Sequence, residues 1–521
     1  MVGVIERRPL PRGLVAICAV VVLVTGIPII VTIGQAASGG WGEVVHAFQG
    51  TDLAPLLLRT IGVALIATPV CGILGVAGAW FVERTQLPGG RIWALLLVAP
   101  ITIPVFLTSY AWSALGTEFQ GFFGAFCILA VTYYPIAFLL SSAALRGMDP
   151  ALEESAMALG CGTWRVFWRV VLPQLRPSLL GGLLVVALAT LVEFDAFVGI
   201  HFSTFVASIY SQYQVSFSAS GAATLACVSI LLCALILAIE TRLRGNAAYT
   251  GVSHGSRRPP ERYALGKTTP IVLIGLTALA TFSVEIPVYA LVRWFEQATP
   301  QSSAGAAAGI GDLIPATLTS VGLGVSAAVL TLLLALPIAV LATRYRGRTV
   351  SLLERATYLS FALPDLVAAI AFAYATSQYT GALYGNIVVL VLAYAVLFCP
   401  IAVLALRVSF GQIEPSMDES ARSLGLGPIR SLLRVGLPLA RPGIAAGGVL
   451  IFAFVLSDLS TTQVLLPPGM VTLGTDFWAD SSTVAFGASA PFAAMLMVLA
   501  AGATYVLMSR FGKTRLTAAA A

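Results

Sequence analysis

The sequence predicts an all-α polytopic membrane protein built as two parallel six-helix repeats, with about 12 transmembrane helices. Three observations lead there. The 521-residue chain is 58% hydrophobic and 10% charged, with a mean hydropathy of +0.93, whereas a soluble domain averages roughly 25% charged residues. It contains twelve apolar runs near the ~20 residues that cross a bilayer, without the weak alternation of an outer-membrane barrel. A polar segment, EESAMALGCGTWRVFWRVVLP from Glu153, returns 265 residues later as DESARSLGLGPIRSLLRVGLP from Asp418.

The apolar runs cover 13–34, 54–82, 92–115, 121–145, 178–200, 220–240, 270–296, 313–342, 352–379, 384–408, 443–466 and 488–510. Lys and Arg accumulate in cytoplasmic loops. With twelve spans, 27 of the 29 basic residues fall on one side, and Arg59 and Arg293 on the other. Both termini are therefore expected in the cytoplasm and the chain in the plasma or inner membrane. The first run follows RRPLPRG but exceeds the 7–15-residue core of a cleaved signal peptide, so it is expected to be retained. The net charge of +6 follows from these loops and implies no nucleic acid. Of the seven cysteines, Cys161 falls in a loop and Cys18, Cys71, Cys127, Cys227, Cys233 and Cys399 fall in spans. They are read as small buried residues, not metal ligands.

The repeat extends beyond the polar segment. TIGVALIATPVCGILGVAGAWFVER from Thr60 aligns with SVGLGVSAAVLTLLLALPIAVLATR from Ser320 at an offset of 260, which Pro104 and Pro364 keep. Tyr134-Pro135 and Cys399-Pro400 are 265 apart. Residues 1–240 form the first expected half, 241–269 a flexible cytoplasmic linker rich in Arg, Gly and Pro, and 270–521 the second half. Six helices return the chain to its starting side, so the halves run parallel. That implies a pseudo-twofold axis along the membrane normal and a pathway between the halves. Small residues such as GILGVAGA from Gly72 suit tight helix packing.

Each polar copy opens with a proline suited to a first helical turn, Pro150 or Pro415. Acids that complement a helix N-terminus follow. Gly160 and Gly425 then break the helix, and 163–170 and 428–435 read as second short helices ahead of Leu172-Pro173 and Leu437-Pro438. Each loop is thus expected to be two short helices with a bend. A simple lipid-surface loop is the alternative.

Charges inside spans are functional candidates, because inserting one costs at least roughly 2.5–3.5 kcal/mol. Glu193, Asp195 and Asp458 stand out, with Glu193 and Asp458 again 265 apart. Two readings remain open: an anionic gate or cation path, or a structural pair or helix caps. Asp365, after Pro364, falls near an expected helix break. His46, His201 and His254 are scattered and form no metal-ligand cluster. Gly266-Lys267-Thr268 and Gly512-Lys513-Thr514 lack the first glycine of a P-loop, with Glu261 and Leu507 in its place.

In both loops the spacing of Glu-x-Ala, a glycine four residues on, and a closing Leu-Pro resembles the "EAA" loop of permease subunits of binding-protein-dependent ABC importers. The resemblance implies that Glu154, Ser155, Ala156 and Gly160, with Glu419, Ser420, Ala421 and Gly425, form ATPase-coupling elements. It also implies two copies of a cytoplasmic ABC ATPase, an extracytoplasmic solute-binding protein, and two permease subunits fused into one chain. EFDAFVGIHFSTFVASIY from Glu193 and LSDLSTTQVLLPPGMVTLGTDFW from Leu456 are similar to ferric-iron and thiamine permeases, with Asp458-Leu459-Ser460 where those show Glu-Leu-Pro. The implied function is import of ferric iron; thiamine, a polyamine or another small polar solute is the alternative. ATP would be bound by the partner, so no cofactor, metal or enzymatic activity is expected in this chain. An ion-driven secondary transporter would also have parallel halves and buried acids, but would not need paired docking loops.

Overall fold

In hydrocarbon a main chain must satisfy its own hydrogen bonds, which favours helix wherever a long apolar run occurs. The computed structural model describes residues 10–49, 52–214, 216, 218–244, 262–297, 300–345, 347–411, 413 and 415–517. Most of the expected linker, 245–261, with His254 and Glu261, lies outside them. The first part of the chain forms α1 (Arg12–Ser38), α2 (Gly40–Gln49), α3 (Leu53–Arg84), α4 (Gly90–Val98), α5 (Val105–Ser113), α6 (Gly121–Gly147), α7 (Pro150–Ala158), α8 (Thr163–Val192), α9 (Asp195–Val198), α10 (Phe205–Gln214) and α11 (Ala219–Arg244). The remainder forms α12 (Gly266–Glu296), α13 (Pro300–Arg344), α14 (Arg348–Tyr358), α15 (Asp365–Tyr379), α16 (Ile387–Leu397), α17 (Cys399–Gly411), α18 (Pro415–Ser423), α19 (Pro428–Ser457), α20 (Ser460–Leu465), α21 (Leu473–Ser482) and α22 (Phe486–Thr517).

Among the described residues nine helices are long and apolar enough to cross a membrane, and up to 11 if two bent pairs each count as one span. The bent pairs are α4 with α5, at 94°, and α16 with α17, at 53°. Proline accounts for the departures from twelve straight spans. It lacks an N–H and pushes the residue before it out of the helical region. Ile103, before Pro104, has φ −75° and ψ 128°; Leu363, before Pro364, has φ −100° and ψ 125°. The run expected at 92–115 is therefore broken at Pro104. The run expected at 352–379 divides into α14 and α15 and is not one of the long apolar helices. In the run at 384–408, α17 restarts at Cys399-Pro400.

The second short helix expected in each polar loop is not a separate element. Thr163 and Pro428 instead begin the long helices α8 and α19, through π turns at Phe167–Val171 and Leu432–Gly436. Leu172-Pro173 and Leu437-Pro438 follow those turns directly. A π turn shifts the bonding pattern locally and lets the helix pass a ring that cannot donate.

Two compact units result: residues 48–208 with 230–299, and residues 1–47 with 209–229 and 300–521. In the first, α3, α6 and α8 pack on one another, and α12 lies against α4 and α5. In the second, α13, α17 and α19 pack on one another, and α1 lies against α13, α14 and α15. The units therefore do not follow the chain segments 1–240 and 270–521: α1 groups with the later segment and α12 with the earlier one. Within each unit one hydroxyl secures a short helix to the core. Thr60 Oγ1 accepts Phe205 N–H at 3.0 Å, and Ser320 Oγ accepts Leu473 N–H at 2.9 Å.

A close approach between α3 and α6 in the first unit uses the small residues noted above. A Cβ on Gly75 would stand 2.6 Å from both Ala137 Cβ and Phe138 N of α6. Gly322 on α13 has nothing within 4 Å. Gly75→Ala should therefore destabilise the protein by about 1–3 kcal/mol through overpacking. Gly322→Ala should stabilise it by about 0.5–1 kcal/mol through helix propensity. Thermal unfolding in detergent checks this; equal midpoints for the two variants would refute it.

Candidate functional site

Both polar loops close their first helix in the same way. Gly160 and Gly425 have φ of +81° and +82°, a left-handed region that glycine enters without strain. Cys161 N–H donates to Ala156 O, and Leu426 N–H to Ala421 O, each at 3.1 Å. Leu159 and Leu424 N–H donate to Ser155 O and Ser420 O, also at 3.1 Å. These are the bonds that reverse a chain at a helix C-terminus. At the other end of α7, Asp149 accepts Ala151 N–H at 3.0 Å.

Around the reversal, apolar side chains are left exposed at matching positions. Leu159 and Leu424 are each 84% exposed, Trp164 and Ile429 are 70% and 73%, and Trp168 and Leu433 are 52% and 56%. Each pair is 265 residues apart. Sequence reasoning singled out the polar and glycine positions and missed this apolar triplet; the signal was an apolar residue at the same place in both copies. Glu154, Ser155 and Ser420 are exposed, Ala156 is half-buried and Ala421 is buried. Glu419 lies on α18; its side chain is outside the described residues.

Glu153 was also missed, and it is the buried acid of α7. Arg84 Nη2 at the end of α3 donates to Glu153 Oε1 at 2.8 Å, with both side chains almost inaccessible. Tyr263 Oη donates to Glu153 Oε2 at 3.0 Å. One residue earlier, Glu83 accepts Ser142 Oγ at 2.6 Å and Arg146 Nη2 at 2.5 Å from α6. The end of α3 is thus tied to both α6 and α7. The sequence held a cue: Arg84 and Arg344 are 260 apart, and Glu153 and Asp418 are 265 apart.

The membrane acids sit where the fifth spans break. α8 stops at Val192, Glu193 is extended, and its Oε1 accepts Ala196 N–H at 2.9 Å. Tyr133 Oη donates to its other oxygen. α19 stops at Ser457, Asp458 is extended, and its Oδ1 accepts Thr461 N–H at 2.9 Å while Oδ2 accepts Thr461 Oγ1 at 2.7 Å. A carboxylate here meets N–H groups that a broken helix leaves without partners. Of the two open readings, helix capping is the one these bonds describe. Asp195 is buried and opens α9; Asp365 opens α15 directly after Pro364.

The long apolar helices are those of a polytopic membrane protein. The chain belongs to the family of binding-protein-dependent transport system inner membrane components, whose model matches residues 15–245 and 335–512. It is a multi-pass membrane protein that carries this permease domain twice. It is 30% identical to the Fe(3+)-transport system permease protein FbpB 2 of Haemophilus influenzae, over 97% of this chain and 99% of that protein. The ferric transport system permease protein FbpB of Actinobacillus pleuropneumoniae is 24% identical over 79% of this chain and 65% of its own length. The molybdenum transport system permease protein ModB of Escherichia coli is 28% identical, over 35% of this chain but 90% of its own length.

Breaking a buried ion pair on one side strands the other charge, at about 3–5 kcal/mol, whereas replacing both partners with apolar residues is often neutral. Arg84→Met should therefore destabilise the protein by roughly that amount, and Arg84→Met with Glu153→Leu should recover most of the loss. Unfolding of the purified chain checks it; a single variant as stable as the wild type would refute the pairing.

Proposed function

We propose that this chain is the translocation subunit of an ATP-driven ABC importer. Two six-helix repeats run parallel, each carries an EAA-type coupling loop, and both loops and both termini face the cytoplasm. Each loop receives one copy of a cytoplasmic ABC ATPase, and an extracytoplasmic solute-binding protein delivers the cargo. The observation that carries this reading is the matched apolar triplet on each loop. A soluble surface avoids such patches unless they meet a partner. Glu154, Ser155, Ala156 and Gly160, with Glu419, Ser420, Ala421 and Gly425, form the polar and turning parts of these docking elements. ATP is bound by the partner, not by this chain.

Ferric iron is the proposed cargo, supported by the names of the iron-transport relatives and by buried acids in the fifth spans. Thiamine, a polyamine or another small polar solute is the second reading; Asp458-Leu459-Ser460 stands where both the ferric-iron and the thiamine permeases it resembles show Glu-Leu-Pro, and so favours neither. Glu193, Asp195 and Asp458 are proposed to border the translocation path.

Two outcomes test the proposal. Leu159→Asp with Leu424→Asp should abolish copurification of the ATPase, because a buried unpaired charge costs several kcal/mol at an interface. Retained copurification at wild-type yield would sink the docking assignment. Glu193→Gln with Asp458→Asn keeps an acceptor oxygen for each cap and removes both charges. If the charges serve transport, uptake of radiolabelled ferric iron should slow by about tenfold, equivalent to ~1.4 kcal/mol, with unchanged yield of folded chain. Unchanged uptake would leave these acids structural.

A further inference from the structure

The chain just before α12 makes more contacts than a connector needs. Tyr263 N–H donates to Arg84 O at 2.8 Å, and Gln86 N–H donates to Tyr263 O at 2.9 Å, a short parallel bridge at Thr85. Gln86 Nε2 donates to Arg262 O at 3.1 Å. The end of the linker is therefore zipped onto the segment that leaves α3.

From that anchored position the Tyr263 side chain reaches the first docking loop by two routes. Its hydroxyl donates to Glu153 on α7. Its ring stacks on Trp80 at 5.5 Å; Trp80 meets Phe167 edge-on at 4.9 Å; Phe167 stacks on Trp164 at 5.7 Å. Trp164 is one of the exposed apolar triplet. Burial and the adjacent Glu153 carboxylate push the Tyr263 phenol up from its ordinary value, so it remains a donor. The ring route has no sequence counterpart in the second loop: Val340 and Leu432 stand at the positions equivalent to Trp80 and Phe167.

We propose that Tyr263 is a positioning residue for ATPase coupling: the linker end braces the first docking loop, through Glu153 and through the Trp80–Phe167 stack, and does so for that loop alone. The proposal rests on the docking role of the loops. It assigns the linker a task beyond joining two halves, and it makes the two docking loops mechanically unequal.

Tyr263→Phe isolates the hydroxyl, because phenylalanine keeps the ring stack and the backbone bridge. Amide hydrogen exchange of the full chain in nanodiscs should show α7 exchanging about tenfold faster, the worth of one hydrogen bond to a charged acceptor. α18 in the same molecule should be unchanged. In a Leu424→Asp background, where only the first loop can dock, Tyr263→Phe should weaken binding of the copurifying ATPase by about tenfold. Tyr263→Ala should weaken it further. Unchanged exchange in α7, or equal acceleration in α7 and α18, overturns the brace. Faster exchange with unchanged ATPase binding, in a protein whose binding Leu159→Asp abolishes, overturns the positioning role. If Leu159→Asp leaves binding intact, the docking reading itself fails and the positioning role falls with it.

Discussion

The constraint on which the rest depends is that backbone N–H and C=O groups have no water to bond inside a bilayer. Continuous helix satisfies them, so every interruption requires a local remedy. The chain uses several. Proline at 104 and 364 ends one helix and begins another. Proline at 173 and 438 is passed by a π turn. Where the fifth spans stop at Val192 and Ser457, carboxylates accept the freed N–H groups, and hydroxyls donate to those carboxylates and to the Asp458 carbonyl. Such breaks are tolerated at membrane depth only where protein or a water-filled cavity surrounds them, which is why they mark the segments proposed to border a path.

The same helices that end in those breaks begin in the loops proposed to dock the ATPase. α8 runs unbroken from Thr163, beside the exposed Trp164, to Val192, beside Glu193, a length of 30 residues or about 45 Å. α19 does the same from Pro428 to Ser457, also 30 residues. A displacement at the apolar triplet therefore has a rigid element along which to reach the broken end. The buried Arg84–Glu153 pair and the Glu83–Arg146 pair connect α7 to α3 and α6, so the first loop moves with the core of its unit. Low-dielectric surroundings make such contacts costly to break and specific in geometry.

Much of this was legible in the sequence, and the rest was not for identifiable reasons. The helical class and the two loops followed from composition and from one segment recurring at an offset of 265. Gly160 and Gly425 were read as helix breakers, and their left-handed turns are that. The straightness of the spans at 92–115 and 352–379 was misjudged because an apolar count does not register what proline does to the residue before it. The separate second helix of each loop was misjudged for a related reason, since a glycine and a Leu-Pro suggest two stops where a π turn provides continuity. Glu154 drew attention over Glu153 because spacing identifies a motif but not which of two adjacent acids faces inward. The linker end was read from its composition as flexible, and Tyr263 is fixed by pairings to residues far away in sequence.

The proposed function gives one chain two ATPase-docking elements. The mass of the intact complex, purified through this chain alone and measured in native conditions, tests it most directly. Docking at both loops gives one copy of this chain with two copies of the ATPase. A complex holding a single ATPase, or an intact transport-competent chain with none, would contradict it.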